Sequence, residues 1–232
     1  MSVIETERLL LRPFREDDAA DLLEYLSGPL PHCFAGLKLN TLDEARAEVV
    51  KRGGDTEYCF AIVLKDTGRV IGEIDAQPSN YEPPMLCSRR TPLPPPDTFT
   101  PSIILNPAYQ GRGLAYEATY AFYDYLFMRK GVRRIYLYVD DYNARSQHLC
   151  EKLGLRREGL FREFVSFVDG ADGNPVHENA LQPAAMKREW MTNGRNKSGK
   201  TRPGKKPRIP GEVRGDRSPP NLSRVHSSFI FS

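Results

Sequence analysis

The sequence predicts an α/β (α+β) fold over residues 1–190. Short apolar runs rich in β-branched residues alternate with segments whose apolar residues recur at helical spacing. Two of those runs flank a hairpin-type turn, and another leads through a glycine loop into a helix. Residues 191–232 carry neither pattern.

Ile4 to Arg12 is β-type and leads into Pro13, which makes it a strand. In Glu16 to Leu26, Ala19, Leu22, Leu23 and Leu26 share one face, and acidic residues fill the first turn of a helix. Thr41 with Glu44 forms a capping box for a helix that runs to Arg52 and stops at Gly53-Gly54. Tyr58 to Leu64 and Val70 to Ala76 are strands joined by Lys65-Asp66-Thr67-Gly68-Arg69, a hairpin turn. Gln77 to Asp97 holds seven prolines and reads as an irregular insertion, the kind of loop that borders a binding site. Thr98 to Leu105 is a strand, Ala115 to Arg129 a helix, Arg133 to Asp140 a strand, and Asn143 to Leu153 a helix ended by Gly154. Leu160 to Val168 and Ala184 to Trp190 read as a closing pair of strands.

Composition excludes several classes. No run approaches the roughly 18 apolar residues of a membrane span. The N-terminus has an acidic residue where a signal peptide needs basic ones. Cys33, Cys59, Cys87 and Cys150 are dispersed without a CxxC pair, which argues against a zinc site or a disulfide framework. A reduced, cytoplasmic setting without metal or membrane is expected. The net charge of +3 divides unevenly. Residues 191–232 hold ten basic and two acidic residues, a net of +8, and the others hold 23 basic and 28 acidic, a net of −5. That tail lacks the apolar content to offset the entropy of ordering and is expected to be disordered. It is either a solvated extension, including out-of-frame readthrough, or an arm for an acidic surface.

Two motifs carry chemistry. Asn106-Pro107-Ala108-Tyr109-Gln110-Gly111-Arg112-Gly113-Leu114-Ala115 joins a strand to a helix. Its glycines let backbone approach a ligand, and the helix start presents unpaired N–H groups and a positive dipole end, which suits phosphate. It is neither a Walker loop nor a dinucleotide fingerprint. The second motif, Asp140-Asp141-Tyr142-Asn143-Ala144-Arg145-Ser146, is a polar turn with Asn143 as candidate N-cap.

Together these motifs resemble the GNAT acetyltransferase superfamily. Gln110-Gly111-Arg112-Gly113-Leu114-Ala115 matches its acetyl-CoA signature, and Asn143-Ala144-Arg145-Ser146 with Glu151-Lys152-Leu153-Gly154 matches its downstream helix. Thr6-Glu7-Arg8-Leu9-Leu10-Leu11-Arg12-Pro13 is similar to the branch of ribosomal-protein N-acetyltransferases and several antibiotic acetyltransferases. The resemblance implies a mixed, splayed sheet flanked by helices, with acetyl-CoA where the central strands part. The amides of Gly111 to Ala115 would hold the pyrophosphate. Backbone of Ile103, Ile104 and Leu105 would pair with the pantetheine arm. Asn143 would lie near the cofactor's amides and Ser146 near the sulfur.

Direct transfer needs a base for the ammonium, a donor for the carbonyl oxygen and an acid for the thiolate. Ser146 is the candidate acid by family position, and helix capping is its structural alternative. Many relatives carry an acid on the strand before the glycine loop, but Thr98 to Leu105 has none. Glu73 and Asp75, on one face of the preceding strand, and Glu178 are the alternatives for the base. Cys150 is expected in the core, and a covalent route through it lacks a His–acid partner set.

The acidic body suggests a cationic small-molecule amine, such as an aminoglycoside-type antibiotic, whose acetylation would confer resistance. A protein N-terminus is the competing acceptor. A homodimer would follow the family habit. Two readings lie outside the enzyme class: a non-catalytic acetyl-CoA-binding module, and nucleic-acid binding through the tail. The tail has no interleaved aromatic residues for stacking, which disfavours the latter.

Overall fold

The computed structural model describes residues 2–79 and 96–198, with side chains through Thr192. Most of the proline-rich insertion and the tail beyond Ser198 lie outside the described residues. No helix among the described residues is long and apolar enough to cross a membrane.

The first predicted strand is two, β1 (Ile4–Glu5) and β2 (Leu9–Arg12), paired antiparallel. Thr6 breaks it. Its N–H bonds Leu9 O at 2.9 Å, and its hydroxyl donates to Glu117 Oε1 at 2.6 Å. A 3₁₀ turn, Glu16–Asp18, precedes α1 (Ala19–Leu26). It is anchored by Arg12, which grips the Asp18 carboxylate with two bonds of 2.7 Å, both side chains buried. A second 3₁₀ segment, His32–Leu37, connects α1 to α2 (Leu42–Gly53). The expected capping box is present: Thr41 Oγ1 accepts the Glu44 N–H at 3.2 Å, and Glu44 accepts the Thr41 N–H. Thr41→Ala is therefore expected to cost about 1 kcal/mol in urea unfolding, with no change in m.

The hairpin is β3 (Cys59–Leu64) with β4 (Val70–Pro78), so Gln77 and Pro78 belong to the strand rather than the insertion. There follow β5 (Thr98–Leu105), α3 (Leu114–Met128), β6 (Arg134–Tyr136), β7 (Val139–Asp140) and α4 (Ala144–Leu153). The predicted strand Arg133 to Asp140 is thus interrupted. A long hairpin, β8 (Arg156–Asp169) and β9 (Pro175–Met186), closes the sheet. Ala184 to Trp190 is not a strand, because β9 ends at Met186 and α5 (Lys187–Ser198) begins. Glu189 accepts the Met186 N–H at 3.1 Å and starts the helix. Trp190 then packs on Tyr120, Tyr123 and Phe127, with ring centroids 4.9, 5.9 and 5.6 Å away. Helix α5 continues through Met191–Ser198, so the boundary expected at residue 191 falls inside it.

The order across the sheet is β1-β2-β3-β4-β5, then β6 and β7 in succession along β9, then β8. Every pair is antiparallel except β5 with β6. That parallel pair joins only Thr98 to Arg134 and Phe99 to Ile135. Beyond Phe99 the pairing stops and the sheet is split. One face packs on α3 through Phe60, Ile62, Phe122 and Leu126; the other packs on α1 and α2 through Leu22, Leu26, Val49 and Ile104.

Candidate active site

The glycine loop lies at the end of the split strand. Gly111 and Gly113 both have positive φ, and Gly113, at +78°, is the N-cap of α3. Only glycine takes that conformation without strain. It also leaves α3 without a side-chain cap, so the first-turn amides, which no helix can satisfy internally, stay available to a ligand. Gln110 braces the loop: its Nε2 donates to Leu105 O at 3.0 Å, and its Oε1 accepts from Arg145 Nη1 at 2.9 Å. Arg112 lies exposed over the Tyr109 ring, its guanidinium carbon 5.6 Å from the centroid.

A cavity of about 640 Å³ opens between α3 and α4. Leu105, Gln110, Gly111, Gly113, Leu114, Ala115 and Ser146 of the expected set line it. Arg112 and Asn143 do not, and neither do Ile103 and Ile104, whose side chains enter the two cores. Asn143 instead caps α4, its Oδ1 accepting the Ser146 N–H at 3.1 Å. Ser146 is 1% exposed. Sequence reasoning missed the wall formed by Arg145, Lys152 and the His148 imidazole, and Tyr116 opposite. Helical spacing of positions 145, 148, 149 and 152 places them on one face and was the available signal. The Lys152 ammonium sits 4.8 Å from the Tyr116 ring centroid. A separate concavity of about 520 Å³ beside α5 contains none of the expected residues.

The three candidate bases differ in their surroundings. Glu73 bonds Arg52 Nε at 2.8 Å and accepts the Tyr25 hydroxyl at 3.1 Å. Burial opposes the Arg52 charge, but Glu73 and its neighbours more than compensate and raise the guanidinium pKa. Asp75 is half-buried opposite Ser102 in the β4–β5 register. It accepts the Ser102 hydroxyl and, at 3.2 Å, the Gln77 amide. Burial raises its pKa from the ordinary carboxylate value to about 6, although both hydrogen bonds pull the other way. Glu178, on β9, bonds His32 Nδ1 at 2.7 Å and Tyr142 at 3.1 Å. Buried Asp140 stands near it. Burial pushes the Cys150 thiol up to about 12, leaving no thiolate for a covalent route.

A family model described as an acetyltransferase (GNAT) domain matches residues 8–156. The uncharacterized N-acetyltransferase YnaD of Bacillus subtilis is 30% identical over 162 residues, covering 70% of this chain and 87% of that one. A spermidine N(1)-acetyltransferase of Escherichia coli is 40% identical over 90 residues, 38% of this chain and 45% of the relative. A GNAT-family acetyltransferase from Bacillus anthracis superposes with a TM-score of 0.66 at 25% identity, covering 81% of this chain and 100% of that one. The chain shares the overall fold of the Bacillus anthracis protein, and it belongs to the GNAT family of N-acetyltransferases.

Proposed function

We propose that this enzyme moves an acetyl group from acetyl-CoA directly to a primary amine of a cationic small molecule. One observation carries the reading. The split sheet has basic groups and open amides on its α3–α4 side and carboxylates on its α1–α2 side. The first suits a polyanionic cosubstrate and the second a cationic acceptor. Aminoglycoside-type amino sugars and linear polyamines both have that chemistry, and the similarity to a spermidine acetyltransferase supports the latter.

Acetyl-CoA supplies the acetyl group as a thioester. The amides of Gly111 to Ala115 hold its pyrophosphate at the α3 N-terminus, with Arg145 and Lys152 as counter-charges and the His148 imidazole beside them. The open edge of β5 at Ile103 to Leu105 offers backbone bonds to the pantetheine arm. Asp75 takes the proton from the acceptor ammonium, so that the neutral amine forms the C–N bond as the C–S bond breaks. A carboxyl pKa of about 6 suits this work near neutral pH. Ser146, at the cavity wall, donates to the departing thiolate. Glu73 holds Arg52 and positions α2 against the sheet.

A thiol-release assay tests the reading, with amino sugars, polyamines and peptides bearing free N-termini as acceptors. Turnover on the polycations is the expected result. Turnover on peptides alone would replace them with a protein N-terminus. Gly113→Ala is expected to weaken acetyl-CoA binding about tenfold by calorimetry, through strain at positive φ and loss of amide alignment. Unchanged affinity would move the pyrophosphate elsewhere.

A further inference from the structure

Asp140 is a polar group that the proposed chemistry does not use. The residue is 0% exposed, and neither carboxylate oxygen has a hydrogen-bond partner among the described residues. An unpaired buried carboxylate is costly, and such groups recur where a ligand supplies the missing charge. Glu178 beside it is 8% exposed. The Tyr142 hydroxyl lies close to both, but its single proton goes to Glu178. Burial and the Glu178 charge push Asp140 above its ordinary value. Glu178 thus takes both the His32 imidazole and the Tyr142 hydroxyl, and Asp140 beside it is left without a donor, a site short of donors and of positive charge.

Its place in the fold is equally specific. Leu137 and Val139 enter the core under α3, so alternation sends Asp140 to the opposite face, the one that carries Asp75 and Ser102. The Asp140 carbonyl accepts the Asn143 N–H at 2.9 Å, which ties this carboxylate to the turn that sets Ser146. His32, with half its side chain exposed, and Tyr142, 57% exposed, cover the pair from outside and can swing away without disturbing the core.

We propose that Asp140 and Glu178 form a subsite for a second protonated amine of a small polyamine acceptor, covered by His32 and Tyr142 until the acceptor enters. This rests on the amine-acetyltransferase reading and adds that the acceptor carries at least two amines. One is anchored as the ammonium, and the other is deprotonated and reaches the thioester.

The test uses the full chain with putrescine and n-butylamine, which differ by one ammonium. For the wild type, the putrescine KM is expected to lie about tenfold or more below that of n-butylamine, as for a charge-assisted contact. Asp140→Asn and Glu178→Gln should raise the putrescine KM about tenfold more than that of n-butylamine. Binding is read separately as the Tm shift given by putrescine without acetyl-CoA, present in the wild type and absent from both variants. The acetyl-CoA shift should survive in both, which separates a lost subsite from a damaged fold. Should Asp140→Asn fail to fold, Glu178→Gln carries the test alone. Equal effects on the two amines, or no putrescine shift in the wild type, would overturn the subsite. A putrescine shift that needs Asp140, with no turnover of any amine, would keep the subsite and overturn the transfer reading.

Discussion

Asp75→Asn is expected to lower kcat about 10²- to 10³-fold at pH 8, the range that general-base catalysis contributes. Asparagine is isosteric and still accepts the Ser102 hydroxyl, so the loss reports the missing base. The wild-type rate should fall as pH drops through about 6, where Asp75 takes up its proton, and that limb should vanish in the variant. Stability must move the other way. Folding raises this pKa, so between the ordinary carboxylate value and about 6 the folded chain binds more protons than the unfolded one. Stability contributed by Asp75 is therefore complete at acid pH and lost as pH rises through about 6. Asp75→Asn should be at least as stable as the wild type at pH 8. A slow but stable variant is the signature of a functional carboxylate. If Asp75→Asn keeps its rate and Glu178→Gln loses it, the base is Glu178.

What could be read from the chain followed the range of the interactions. Thr41 with Glu44, and Asn143 with Ser146, are caps closed within three residues, and both were legible. So was the glycine loop, because positive φ at the start of α3 has a local signature. The break in the first strand was not, because Thr6 is turned by Glu117, 111 residues away. The Ala184 to Trp190 segment was misread for a different reason. Apolar residues at its start continue a true strand, but Glu189 reaching back to Met186 favours a helix, and the burial of Trp190 on α3 completes it. Among the three carboxylates proposed as bases, sequence spacing placed Glu73 and Asp75 on one face and could go no further. Arg52 reaches Glu73 from α2 and leaves Asp75 with neutral partners, and only the fold makes that distinction. Asp140 was legible only as part of a polar turn, because its neighbours His32 and Glu178 are more than 100 residues apart in the chain.

Gly72→Ala is expected to cost about 3 kcal/mol or more and to lower Tm on the order of 10 °C. Residue Ile62 pairs with Gly72 while Val63 pairs with Val70, so Ile71 is an extra residue, a bulge that presses Gly72 against β5. A methyl group here would overlap the Ile104 carbonyl oxygen and come within 3.0 Å of Leu105 Cα. Both obstacles are backbone, so no side chain can turn aside; the strand itself must shift. That strand runs beside the split in the sheet, and its displacement would carry Ile104 and Leu105 toward the cavity. Leu105 lines the cavity and its carbonyl holds Gln110, so the glycine loop should move as well. The expected signature is thus double: a lower Tm, and a raised acetyl-CoA KM at temperatures where the variant remains folded. A variant that loses stability while keeping its acetyl-CoA KM would show that the edge of β5 does not set the cosubstrate's position. A wild-type Tm would mean that β4 and β5 are farther apart at this bulge than the register requires.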